Sequence, residues 1–490
     1  MVFNSYTFVL FFAVLLALHN MPFSWKTKKI NLLGASYLFY ALWNPPFILL
    51  LWLSTIVDFY MAKLISITED KTRRRMWLAV SLVLNLGMLS YFKYGGFLLE
   101  NFTMLMNSLG IAFEAAKPDI ILPVGISFYT FVTLSYTIDV YKRKFAPESS
   151  FLDFALFVTY FPHLVAGPIV RPEDLIPQFK QPKKATGQQF MWGIFLLTLG
   201  LFLKVVIADG WLSETSDLIF GLPFPVNPLD AWSAVLAFSG QIFCDFSGYS
   251  TCAIGVSLCL GFKLPENFRY PYAAVGFSDF WRRWHITLST WLRDYLYIPL
   301  GGNRAGRFQT YINLMITMLL GGLWHGASWN FVIWGGLHGL FLCIERLIKR
   351  NPKKAGVAAT EAEEVVLQAT VIPVRRNNIS VLLRVLLTFF LLNVTWVFFR
   401  SPDFGTAIRM LLCMFGVITQ GPKMLTTPDM LKVAIVTVGL LVCHWNMRER
   451  SVKGLFQSMP WWLFGTLWGI MLILIVLTQK STGSFIYFQF

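Results

Sequence analysis

Charge is what this sequence has least of. Only 14% of its 490 residues are Asp, Glu, Lys or Arg, against roughly 25% in an ordinary soluble domain, which excludes a chain whose whole surface faces water. The spacings that hold a metal or a redox pair are missing too. The six cysteines form no CxxC pair and there is no HExxH or Cys/His cluster, so no metal site and no bound cofactor are expected. No GxSxG elbow with a partnered acid, no Walker loop and no GxGxxG fingerprint occurs, which sets aside serine-hydrolase triads, P-loop NTPases and dinucleotide enzymes. Cys244, Cys252 and Cys259 lie at near-helical spacing in one apolar run and read as core packing.

What is present is apolar. The chain is 56% hydrophobic and 17% aromatic, with several runs longer than a buried soluble helix needs. A hydrocarbon core about 30 Å thick takes roughly 20 residues of helix to cross, and backbone polar groups inside it must be satisfied internally. The runs are too continuous for barrel strands, so the expected fold is an all-α, multi-pass integral membrane protein. The formal charge of +15 does not imply a nucleic-acid partner, because Lys and Arg sit in short clusters between apolar runs, where the positive-inside rule expects them.

Those clusters order the topology. The stretch Val2 to Leu18 has no basic region before it, and Lys26, Lys28 and Lys29 follow it; it reads as a retained segment with the N-terminus outside the cytoplasm. The chain then leads out through Leu32 to Trp43 and back through Ile48 to Ile65, where Lys71, Arg73, Arg74 and Arg75 mark the same side again. Trp77 to Phe92 leads out, Ile120 to Tyr141 leads in, and Lys142, Arg143 and Lys144 repeat the mark. Phe151 to Pro168 lies between two basic clusters, so a broken re-entrant hairpin keeps the rule, and Pro162 and Gly167-Pro168 suit it. Crossings near Phe190 to Ala208 and Ala231 to Leu260 bring the chain to its largest basic block: Lys263, Arg269, Arg282, Arg283, Arg293, Arg304 and Arg307. Tyr311 to Leu323 and Phe331 to Leu347 then form a hairpin joined by WHGASWN. Val381 to Phe399, Leu431 to Trp445 and Trp461 to Leu477 follow, and the tail FIYFQF ends outside. The reading totals about 11 membrane segments. It divides the chain into N-terminal helices and core (1–350), a cytoplasmic loop rich in Ala, Glu and Val (351–378) and C-terminal membrane helices with an extracytoplasmic tail (379–490).

Two constellations hold titratable groups. In FWRRWHITLSTWLRDYLYIPLGGNR (280–304), preceded by Ser278 and Asp279 as N-caps, a continuous helix puts Trp281, Trp284, His285, Leu288, Leu292 and Tyr295 on one face. Such a segment is either an interfacial anchor or a carrier of His285. In GGLWHGASWNFVIWGGLHG (321–339), His325 falls at a glycine-flanked break at the tip of the hairpin, while His338 lies 13 residues on and points elsewhere. An intramembrane ionisable residue is expensive and marks a functional site by default; the competing reading of each histidine is a neutral ring hydrogen-bonded between helices. A neutral imidazole at position 325 suits general-base work on a hydroxyl that attacks a thioester. Lys93, Asp139, His163 and Lys204 either line a cavity or pair with one another.

These two motifs, with YFPHLVAGPIVRP upstream and FIYFQF at the end, resemble the membrane-bound O-acyltransferase superfamily, in particular its branch of alginate O-acetyltransferase membrane subunits and D-alanyl-lipoteichoic acid transfer proteins. The resemblance implies broken helices around a central funnel, His325 as the catalytic residue with His285 as its partner, and Trp324, Asn330 and His338 as cavity-lining residues. It implies a cytoplasmic thioester donor, acetyl-CoA or an acyl-carrier phosphopantetheine arm, whose phosphates meet one or more of Arg282, Arg283, Arg293 and Arg304. It further implies an extracytoplasmic polysaccharide acceptor reached through a periplasmic acetyltransferase partner, in a bacterial inner membrane. Tyr487 in the tail resembles the acceptor tyrosine of a companion peptide in D-alanylation systems, which would make it an acyl relay; the competing reading is an aromatic-belt residue at the membrane interface. D-alanyl transfer to teichoic acid and a non-covalent transporter stand as alternatives.

Overall fold

The computed structural model describes residues 1–114, 120–304, 306–349 and 379–479. Helix is the only regular secondary structure among them. Among the described residues eight helices are long and apolar enough to cross a membrane: Pro45–Ile67, Lys71–Ser108, Gly187–Phe220, Pro228–Cys259, Trp329–Ile348, Ile379–Arg400, Thr427–Met447 and Trp461–Thr478. The larger expected number included shorter pieces, such as Tyr6–Asn20, which fall below that length. The stretch 351–378, read as a loop, lies outside the described residues.

By contact the chain forms two compact units, Met1–Leu197 with Cys252–Pro265, and Thr198–Thr251 with Glu266–Phe490. In the first, the helices Ile48–Ile67, Lys71–Leu89 and Ile126–Tyr141 pack together around a polar knot. Asp58 accepts from Ser81 Oγ (2.5 Å) and Asn85 Nδ2 (2.9 Å), and Asn85 Oδ1 accepts from Ser54 Oγ (2.6 Å). All four are fully buried, so each polar group finds a partner on a neighbouring helix rather than in lipid. The expected broken segment is real: Phe151–Thr159 ends at Tyr160, and Pro162 opens the short turn Phe161–Leu164. The Phe161 N–H, released from helical bonding, donates to Ser36 Oγ (3.2 Å).

In the second unit the helices Arg307–His325 and Trp329–Lys349 form the expected hairpin. Glycines let their backbones touch: a Cβ on Gly335 would sit 2.2 Å from the Met318 carbonyl oxygen, and one on Gly322 2.2 Å from that of Phe331. Ile379–Arg400 packs against the second arm. Lys204 lies in a π-helical stretch, Phe202–Leu212, and pairs with Asp209 (2.9 Å) and Asp245 (2.5 Å), which assigns it the ion-pairing reading.

The basic segment departs from expectation. Instead of one amphipathic helix it is three pieces, Phe277–Trp281, Ile286–Leu292 and the π-helical Arg293–Tyr297. Gly276, not Ser278 or Asp279, stands at the N-cap; the Asp279 carboxylate accepts from the Val275 N–H (2.9 Å) and Arg283 Nε (2.9 Å). The break at 282–285 has a tertiary cause. The loop 267–269 pairs with it through Arg269 N–H to Arg283 O (2.8 Å) and Ile286 N–H to Asn267 O (2.9 Å), bonds that compete with the helical ladder. His285 takes a left-handed conformation, φ 43°, which a non-glycine residue adopts only where its surroundings impose it. Nor is the segment a surface anchor: Trp281, Arg282, Arg283, Trp284 and His285 are all buried.

Candidate active site

His325 is the last residue of its helix. Gly326 then extends the chain (φ −163°), and a Cβ there would meet the Phe331 ring at 2.1 Å, so only glycine lets the backbone leave beside that ring. The imidazole is 3% exposed. Trp324, Trp334 and Phe399 pack edge-on around it with ring centroids 4.9, 5.0 and 5.3 Å away.

His285 is fully buried and packs edge-on against Phe246 at 4.6 Å. Its Nδ1 lies 3.0 Å from Asn267 Oδ1. Burial drives its pKa down to about 3, which keeps the ring neutral. Trp324 touches both imidazoles, at 5.9 Å from His285 and 4.9 Å from His325. The two histidines named from separate motifs therefore share one aromatic wall, joined through Trp324. Such a wall excludes water, the condition under which a neutral imidazole and an oriented donor act most strongly.

The other expected residues divide. His338 Nε2 lies 3.1 Å from Thr395 Oγ1, whose own hydrogen goes to Leu392 O (2.8 Å), so the imidazole is the donor of an interhelical hydrogen bond. That is the packing role weighed for it. Asn330 Nδ2 donates to Ser401 O (3.0 Å), tying the hairpin tip to the end of the Ile379–Arg400 helix. Of the four arginines, Arg283 donates through Nε to Asp279 (2.9 Å) and through Nη1 to Arg269 O and Arg448 O (both 3.2 Å), and only its Nη2 is without a hydrogen-bond partner among the described residues. Arg293 pairs with Asp294 (2.6 Å) and Arg304 is exposed. Arg282 differs from all three: it is 7% exposed, and its Nε and Nη1 are buried without a hydrogen-bond partner among the described residues. Tyr487 lies outside the described residues. Sequence reasoning missed Asn267, because an asparagine in a loop is an ordinary turn residue and its stretch was weighed for basic charge alone.

Apolar helices that hold two buried imidazoles on a shared ring wall, away from water, have the groups that proton transfer in a membrane-embedded transferase uses. The family model of the membrane-bound O-acyltransferases matches residues 142–371. The probable alginate O-acetylase AlgI of Azotobacter vinelandii is 42% identical over 418 residues, 85% of this chain and 78% of that protein. The peptidoglycan O-acetyltransferase of Helicobacter pylori is 37% identical over 415 residues, 79% and 74% of the two chains. More distant is the teichoic acid D-alanyltransferase of Bacillus subtilis, 27% identical over 244 residues, 47% of this chain and 60% of that one. The chain belongs to the membrane-bound O-acyltransferase family, and it is an acyltransferase.

Proposed function

We propose that the chain transfers an acetyl group from a cytoplasmic thioester toward a hydroxyl of an extracytoplasmic polysaccharide, with His325 as the general base. The observation that carries this reading is the burial of His325 at the tip of its hairpin, on the ring wall it shares with His285. The hydroxyl oxygen attacks the thioester carbonyl carbon, a C–O bond forms and the C–S bond breaks. The hydroxyl proton passes to the imidazole and on to the departing thiolate, leaving an ester and a free thiol. Trp334 supports the same reading: its ring lies against His325, and its indole N–H is buried without an acceptor among the described residues, a candidate donor to the carbonyl oxygen as that atom gains charge. Arg282 is the arginine best suited to the donor's phosphates, since its buried Nε and Nη1 have no hydrogen-bond partner among the described residues, the Asp279 and Glu345 carboxylates acting on it through charge.

Acetyl is favoured because two of the named relatives, covering most of the chain, are an alginate O-acetylase and a peptidoglycan O-acetyltransferase. D-alanyl transfer is the second reading, supported by relatives that span about half of the chain. A periplasmic acetyltransferase partner and an inner-membrane location with both termini outside the cytoplasm complete the proposal. Purified protein in liposomes, given labelled acetyl-CoA and separately an acyl carrier protein, is expected to move label to glycan from one of the two. His325→Ala should abolish that transfer and, by opening a cavity among three rings, lower thermal stability as well, whereas His325→Gln, which fills most of that space, should abolish transfer with folding retained. Full transfer by the His325→Ala protein would sink the assignment.

A further inference from the structure

The bonding around Asn267 decides which nitrogen of His285 carries the hydrogen. The atom of Asn267 that faces His285 also faces the Thr287 backbone N–H (3.3 Å) and the Thr287 hydroxyl (3.0 Å). A backbone N–H can only donate, so that atom is the amide oxygen; a flipped amide would set donor against donor. The amide nitrogen is occupied on its other side, donating to Ser250 Oγ (3.2 Å), and this locks the amide from the Pro228–Cys259 helix. With Asn267 Oδ1 an obligate acceptor, His285 Nδ1 at 3.0 Å is the donor. The neutral ring then bears its lone pair on Nε2. The same residue holds the backbone just after His285, because Asn267 O accepts the Ile286 N–H (2.9 Å) where His285 turns left-handed.

We infer that Asn267 is a positioning residue for acyl transfer, holding His285 in the Nδ1–H tautomer so that Nε2 offers a lone pair to an O–H or N–H of the bound substrates. A carboxylate or carbonyl on the far side of an imidazole does this in other sites, where it sets both the ring's orientation and which nitrogen is basic. The inference rests on the participation of His285 in transfer, and it separates the two imidazoles by role. His285 accepts a hydrogen bond and orients a substrate, and His325 carries the proton.

Asn267→Leu, nearly isosteric but unable to accept, is expected to lower kcat by about 10²-fold, the loss typical of a tautomer-setting partner, with KM for the thioester little changed. Asn267→Asp keeps the acceptor and is expected to recover at least a tenfold part of that loss. Solid-state ¹⁵N spectra of histidine-labelled protein, assigned by comparison with His285→Gln, should show His285 protonated at Nδ1 in the unaltered protein and a mixture of tautomers in Asn267→Leu. A His285 resonance protonated at Nε2 in the unaltered protein would overturn the inference. So would full turnover by Asn267→Leu in a preparation where His285→Gln is inactive, or equal losses in Asn267→Leu and Asn267→Asp, since a merely structural role would not distinguish them. If His285→Gln itself transfers acetyl at the full rate, both the inference and the partnership of the two histidines fall. Absence of transfer from any thioester in the unaltered protein, with Nδ1 protonated, would instead fault the proposed reaction.

Discussion

At the scale of single residues, the arginines show how alike side chains are divided by their surroundings. Arg282 and Arg283 are adjacent and both buried, yet Arg283 is surrounded by a carboxylate and two carbonyl oxygens while the Nε and Nη1 of Arg282 have no such partner. Buried guanidinium N–H groups that lack acceptors cost free energy that an anionic ligand would return. Arg282→Gln is therefore expected to raise KM for a phosphate-bearing thioester about tenfold or more, since a charge-assisted hydrogen bond is worth roughly 1.5–3 kcal/mol, and to leave acetyl-pantetheine, which lacks phosphate, unaffected. Steady-state kinetics with both donors checks it. Arg283→Gln should behave differently, as loss of protein, because it takes the buried donors away from Asp279 Oδ1 and from the Arg269 and Arg448 carbonyl oxygens, while Asp279 keeps its bridge to Arg448.

At the scale of elements, the hairpin that carries His325 depends on backbone approach. An alanine methyl at Gly335 would have to occupy space 2.2 Å from a carbonyl oxygen and 3.1 Å from Gly322 Cα, and neither atom can swing aside as a side chain would. Gly335→Ala should cost about 2 kcal/mol or more and lower the yield of folded, detergent-stable protein in size-exclusion chromatography. Gly439→Ala, where the same methyl meets nothing within 4 Å, should be neutral. The break at 282–285 belongs to this scale as well. Periodicity placed Trp281, Trp284 and His285 on one helical face, but it carried no information about the loop 267–269 whose backbone bonds open the helix. A local pattern reports which side of a segment is apolar; it does not report what arrives from elsewhere in the chain.

At the scale of the whole molecule, the positive clusters make a prediction about sides. In a background with the exposed Cys443 replaced by Ser, a cysteine at the exposed position Thr72 should resist an impermeant maleimide added outside intact cells and react in inverted vesicles. A cysteine at Phe224, 41% exposed, should do the reverse. Labelling of both from one face would refute the orientation read from Lys and Arg. Helix Trp461–Thr478, with none of its span buried, shows why these apolar lengths were legible from sequence: a helix in lipid wears its hydrophobicity all round.

Membrane residence, the all-helical fold and the two histidine motifs were determined by the sequence alone, because the bilayer imposes a length and a composition on each segment independently of the others. The hairpin tip at His325 was legible from the polar WHGASWN stretch that separates two apolar runs. What the tertiary structure decided was relational. It joined His285 to His325 through the Trp324 ring, gave His338 a hydrogen bond across helices, left the Nε and Nη1 of Arg282 without a hydrogen-bond partner among the described residues, and brought in Asn267. Hydrogen-bond partners distant in sequence leave no periodic trace, and the tautomer of a buried imidazole depends on which of them arrives.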